Sequence, residues 1–158
     1  MQPDKIETKR LKLVGVEMYI SEEEDFGYKM EAMRAEIKNR RDEIQNRINN
    51  RHVGFWQWQL MLEEGYNTHR NYFCGVEVSD FQDIPYGMII KNLPECKFAV
   101  FAEKNGEEGT VTYKNGVYIN WLPKSGYSFC TKISGDFEVY DFDEQVEYHE
   151  VWIPLDEK

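Results

Sequence analysis

An α+β fold, with helices on one face of an antiparallel sheet, follows from three observations on the sequence. Residues 28–50 place Met30, Met33, Ile37, Ile44 and Ile48 at helical spacing opposite a charged face. Several short runs elsewhere alternate apolar and polar residues and are rich in β-branched and aromatic side chains, which marks strands. The order of these elements also repeats: strand, long helix, strands, then strand, shorter helix, strands. A helix with one apolar stripe must bury it, and a sheet is the natural partner.

The first strand is expected over IETKRLKLVGVEMYI (6–20), ahead of an acidic run that begins at Ser21. The long helix follows from about Tyr28 to Asn50. In FWQWQLMLEEGY, Trp56, Trp58 and Leu60 alternate with Gln57 and Gln59 in the manner of a strand, while MLEE before Gly65 equally fits a helical turn. Residues 70–79 read as a strand with Cys74, Val76 and Val78 on one face and Phe73, Gly75, Glu77 and Ser79 on the other. A loop at Ile84–Gly87 precedes MIIKNLP. Residues 97–103 form the next strand, which Asn105-Gly106 ends with turn chemistry. A second helix is expected over about 108–122 from the spacing of Val111, Lys114, Tyr118, Trp121 and Leu122, against the low helix propensity of its β-branched residues and glycines. Pro123, Ser125 and Gly126 stop it. Residues 136–142 and 147–155 are the last strands, with Pro154 at an edge or strand exit. LVGVEMY and FCGVEVS share Gly-Val-Glu, which reads as a faint echo of the two-part repeat.

The chain of 158 residues suits one domain, or two small halves sharing a core, at about 1–90 and 91–158. A net charge of −10 opposes direct nucleic-acid binding, which needs a basic face. The arginine-rich stretch 38–51 also holds Asp42 and Glu43 and reads as the solvated side of a helix. No apolar run reaches the length of a membrane span, and the N-terminus lacks a secretion signal, so no membrane role and a cytoplasmic location are expected. Cys74, Cys96 and Cys130, with His52, His69 and His149, show no metal-ligand spacing, so neither a metal nor a cofactor is expected. Phosphate loops, nucleophile elbows and zinc-protease motifs are absent from the sequence.

Aromatic residues make up 15% of this acidic chain. Rings around a carboxylate suit a flat, apolar, cationic ligand: the rings supply stacking and the carboxylate supplies the counter-charge. Glu138 lies in an apolar strand, where burial is costly without compensation. Tyr140, two residues on, shares its face. Glu77 faces away from Val76 and Val78. Two carboxyls in one pocket would raise at least one pKa and could divide general acid and base roles. Trp56, Trp58, Tyr66, Phe73, Tyr118 and Trp121 are the possible walls. Each ring, taken singly, fits a packed core better than a cavity.

PECKFAVFAEKNG, a helix ending in INWLPKSGYSF, then DFEVYDF and EVWIPL resemble, in that order, the GyrI-like small-molecule-binding domain. KRLKLVGVEM, the long helix and YFCGVEVSD before IPYG are compatible with its first half, so the resemblance covers nearly the whole chain. That family includes the effector-binding domains of AraC-type and MerR-type multidrug-responsive regulators as well as free-standing proteins. The resemblance implies two pseudo-repeated strand-helix-strand-strand units, with antiparallel sheets forming a groove and helices on the outer face. It also implies that Glu138 matches the acidic residue that faces aromatic ligands.

The expected protein is therefore a stand-alone domain, without a DNA-binding helix-turn-helix, that binds planar aromatic or cationic small molecules for sensing or sequestration. Its expected ligand-binding residues are Glu138, Tyr140, Trp56, Trp58, Glu77, Tyr66, Phe73 and Trp121. Two alternatives stay open. One is a hydrolase of reactive small molecules using Glu138 and Glu77. The other is a protein-interaction module acting on a transcription regulator or on gyrase through the acidic surface.

Overall fold

The computed structural model describes residues 1–20, 26–58, 70–103, 110–143 and 149–158. The strands are β1 (Lys5–Lys9), β2 (Lys12–Ile20), β3 (Arg51–Trp58), β4 (Arg70–Glu77), β5 (Ile89–Asn92), β6 (Cys96–Glu103), β7 (Tyr127–Phe129), β8 (Gly135–Asp141) and β9 (His149–Glu157). The helices are α1 (Phe26–Arg40) and α2 (Thr110–Gly116), the latter continuing through a π-helical turn at Val117–Trp121 and a 3-10 turn at Leu122–Lys124. The nine strands form one open antiparallel sheet in the order β1-β6-β9-β8-β3-β4-β2-β5, with β7 added to β9. This is the predicted α+β architecture.

The predicted first strand is two strands, and the break has a topological reason. β1 pairs with β6 of the second half, whereas β2 pairs with β4 of its own half and with β5, the strand that leads the second half. Leu11, fully buried at the junction, accepts the Leu93 N–H on its carbonyl at 3.0 Å. The two halves thus exchange their leading strands, β1 and β5, and meet at the central β3–β8 pair. The Gly-Val-Glu echo does not mark this repeat. Its two copies lie on β2 and β4, neighbours within one half, where Gly15 and Gly75 stand directly opposite each other. A Cβ on either glycine would lie 2.2–2.3 Å from a carbonyl oxygen of the other strand, so the shared glycines serve a close backbone approach.

Helix α1 ends at Arg40 rather than near Asn50. The chain passes through a 3-10 turn at Arg41–Glu43 into extended backbone at Ile44, and Asn46 takes a left-handed φ of 66°. Ile44 is buried by this turn, while Ile48 lies outside the stripe and is half exposed. The ambiguous FWQW segment is strand β3. Pro154 falls between the β8 pairing of β9, which ends at Trp152, and the β7 pairing, which begins at Leu155. A missing N–H there breaks no ladder bond.

Both helices lie on one face of the sheet. Met33 and Ile37 of α1 pack on Val14, Tyr72, Cys74 and Val76. Val117 and Trp121 pack on Ala99, Phe101, Val151 and Ile153. The opposite face carries its own core, which includes Leu13, Phe55, Phe73, Phe98, Phe137, Val139 and Trp152. No described helix is long and apolar enough to cross a membrane.

Candidate ligand-binding site between the two helices

Strand alternation sends every second residue of β3 and β8 to the helix-bearing face. On β8 these are Asp136, Glu138 and Tyr140. Opposite them on β3 stand Trp56, Gly54 and His52. This strip runs between the sheet area covered by α1 and that covered by α2. All three β8 residues are buried, Asp136 completely and Glu138 to within 2%. Two adjacent buried carboxylates need compensation, and the fold supplies it from α2.

Lys114 reaches down from α2 and donates to both carboxylates from one nitrogen. Its Nζ lies 3.0 Å from Asp136 Oδ1 and 2.9 Å from Glu138 Oε1. The second oxygen of each carboxylate accepts from a tyrosine: Tyr118 Oη donates to Asp136 Oδ2 at 2.6 Å, and Tyr140 Oη donates to Glu138 Oε2 at 3.1 Å. The remaining two oxygens therefore converge on a single ammonium seat. Trp56 borders that seat, with its ring centre 5.9 Å from Lys114 Nζ. The Lys114 side chain keeps 12% of its surface exposed, more than either carboxylate it holds.

The electrostatics follow from burial and pairing. Burial works to discharge Lys114, but the Glu138 and Asp136 charges and hydrogen bonds outweigh it and hold its pKa above the ordinary lysine value. Burial raises the Asp136 carboxyl, and Lys114 and Tyr118 offset only part of that rise. Burial, with the Asp136 charge beside it, pushes the Tyr118 phenol upward as well, so it remains a donor.

A second set of groups flanks the strip on the α1 side. The Arg34 guanidinium lies 4.8 Å from the centre of the Tyr140 ring. His52 stacks on the Tyr140 ring, 5.1 Å away with planes 13° apart. Burial and the nearby Arg34 bring the His52 pKa down to about 4. Gly54 leaves room for Tyr72, whose hydroxyl would lie 2.7 Å from a Cβ at that position. The Tyr72 ring packs 4.7 Å from Trp56, and its buried hydroxyl has no hydrogen-bond partner among the described residues.

The sequence-predicted site residues separate into three groups. Glu138, Tyr140 and Trp56 come together on the strip. Glu77 does not join them: it lies on the opposite face of the sheet, where Lys9 Nζ pairs with it at 2.7 Å. Val76 and Val78 do pack on the helix side, as expected, but the carboxylate strip is on that side too. A Glu138–Glu77 pair therefore cannot act on one substrate. Phe73 belongs to the apolar core of the opposite face. Trp121 packs edge-on against Phe101 at 5.1 Å, under α2 rather than on the strip. Trp58 continues β3, but its side chain lies outside the described residues, as does Tyr66.

Sequence reasoning missed Asp136, Lys114 and Tyr118 as one polar unit, and Arg34 beside it. Asp136 was within reach, because the alternation in DFEVY that puts Tyr140 beside Glu138 puts Asp136 there too. In the sequence pattern Lys114 is only one position of a helical spacing. Among the described residues, no group of three or more His, Cys, Asp or Glu side chains could hold a metal ion.

Residues 1–156 match the family model of the GyrI-like small-molecule-binding domain, and the chain belongs to that family. No curated protein matches it. Among solved structures it resembles SAV2435 bound to tetraphenylphosphonium, at 16% identity and a TM-score of 0.68, over 96% of this chain and 94% of that one. A protein from Staphylococcus aureus MU50 is 17% identical with a TM-score of 0.62, over 96% of both chains. The C-terminal domain of EcmrR is 12% identical with a TM-score of 0.62, over 98% of both.

Proposed function

We propose that this GyrI-like domain binds flat or multi-ring aromatic cations on the strip between α1 and α2. Asp136 and Glu138 are the counter-charge, and Trp56 and Tyr140 the stacking surfaces. One observation carries this reading: two buried carboxylates share a single cation that hangs from a helix above them and remains partly exposed. A ligand cation reaches the same oxygens when the Lys114 side chain swings aside. Its aromatic body then covers what the lysine stem had covered. The tetraphenylphosphonium held by a protein of the same fold supports an aromatic cation as the ligand class. Sensing or sequestration of such compounds is the biological role we assign.

The test is a fluorescence titration with a cationic rhodamine dye, comparing wild type with Glu138→Gln. Saturable binding by the wild type, weakened at least about tenfold in the variant, is expected from the loss of a buried charge-assisted contact. Equal affinities would remove Glu138 as the counter-charge. The paired-glutamate hydrolase loses its geometric basis, since Glu77 and Glu138 face opposite sides of the sheet.

A further inference from the structure

Each of the two buried carboxylates has one oxygen occupied by a tyrosine hydroxyl and one oxygen aimed at the same point. The point is filled by an N–H donor. Asp136 Oδ1 and Glu138 Oε1 both accept from Lys114 Nζ, at 3.0 and 2.9 Å, and no other donor bonds either oxygen among the described residues. We propose that the site selects aromatic ligands carrying an N–H-bearing cation, a primary ammonium or an amidinium, over quaternary onium ions of the same shape. This rests on the binding reading above and narrows it to a ligand class.

The physical reason is what remains when Lys114 leaves. A quaternary ion brings charge but no donor. It leaves two buried carboxylate oxygens without hydrogen bonds, and an unsatisfied buried acceptor is costly. A primary ammonium has three donors and can address both oxygens from one nitrogen, as Lys114 does. An amidinium can give one N–H to each. An ammonium also loses more hydration on burial than a quaternary ion, which opposes the preference. The lysine itself answers that objection, because an ammonium is already held at this point with its proton retained. The Trp56 ring beside the seat favours either cation and so does not set the choice.

The same lysine is then the ligand's competitor. Any ligand must displace an internal ammonium from the oxygens it uses. Replacing Lys114 by methionine keeps most of the stem and removes the competing charge, and is expected to strengthen ammonium binding.

The experiment is calorimetric titration of the wild-type protein with two matched probes, 2-(1-naphthyl)ethylammonium and its N,N,N-trimethyl derivative. The Lys114→Met variant is run in parallel, with Lys114→Gln as the substitute should the methionine variant fail to fold. The primary ammonium is expected to bind wild type at least about tenfold more tightly than the trimethyl compound. The gap should widen when Lys114 is replaced. Equal binding of the two probes, or tighter binding of the trimethyl compound, overturns the donor-selection proposal and leaves the binding reading standing. If neither probe binds wild type or either variant, the binding reading itself falls and the proposal falls with it.

Discussion

The two faces of the β3–β8 pair are built from alternate residues of the same two strands, yet they have opposite characters. On one face Phe55 stacks on Phe137 at 4.4 Å, with Phe98 edge-on to Phe137 at 5.7 Å and all three rings buried. On the other face, one residue along, lie Asp136, Glu138 and Tyr140, with Gly54 standing opposite Glu138. The apolar face holds the halves together across their central pair. The polar face is a poor place to look for stability, since burying ions rarely returns their dehydration cost. The difference teaches that an apolar core on one face of the central strand pair leaves the alternate residues of the same strands free to hold a buried charge cluster.

This contrast can be broken in order of expected effect. Phe137→Ala should destabilise the fold most, by about 3–5 kcal/mol, the usual cost of emptying a buried aromatic site. Chemical denaturation measures the loss, and the fraction that remains folded should bind ligand as wild type does. A loss much under 1 kcal/mol would mean the apolar face is not the principal core.

The next effect is one of pH. His52, buried between Tyr140 and Phe142, has its folded-state pKa lowered from 6.5 to about 4 by burial, then by Arg34, with Lys38 adding to this and Asp141 opposing it. Between those values the unfolded chain binds a proton that the folded protein refuses. Stability attributable to His52 is therefore complete above pH 6.5 and declines as pH falls toward 4, by no more than about 3 kcal/mol. Urea midpoints at pH 7.5 and 5 would show the decline. A His52→Gln variant should show a shallower slope, and an unchanged slope would assign the effect elsewhere.

Glu138→Gln acts on the polar face. Its effect on stability should be smaller than that of Phe137→Ala, because Lys114 keeps Asp136 as a partner. Its effect on dye affinity should dominate, at roughly tenfold or more. A thermal melt alongside the titration separates the two. The smallest expected change in binding comes from Lys9→Met. Lys9 pairs with Glu77 on the apolar side, so its removal should cost stability and leave dye affinity within about twofold of wild type, a change under ~0.5 kcal/mol. A tenfold loss of affinity in that variant would place Glu77 back in the binding site.

Much of the fold was legible because local periodicity and turn chemistry are local causes. The strands around residues 70–77, 97–103 and 136–141, the α2 segment and the alternation on β4 all emerged where the pattern put them. The family resemblance pointed to Glu138, strand alternation placed Tyr140 on the same face, and the two share a hydrogen bond there. What failed was the assignment of faces across distance. Phe73 and Trp121 are rings of the right kind, but register and helix docking sent both into cores. Glu77 has the right chemistry on the wrong side. Nothing within β8 could announce that a lysine 22 and 24 residues earlier would seat itself on both carboxylates.

The amino-acid sequence by itself determined most of the element types and the side-chain alternation along the strands it marked, because these depend on neighbours one to four residues away. It also determined that an acidic row, Asp136-Glu138-Tyr140, would share one face. Only the tertiary structure decided which face of the sheet received the helices, and hence that this row would be buried beneath Lys114 rather than left in solvent. That outcome depends on the exchange of β1 and β5 and on the docking of α2, which are contacts between segments far apart in the chain, and no local pattern encodes their geometry.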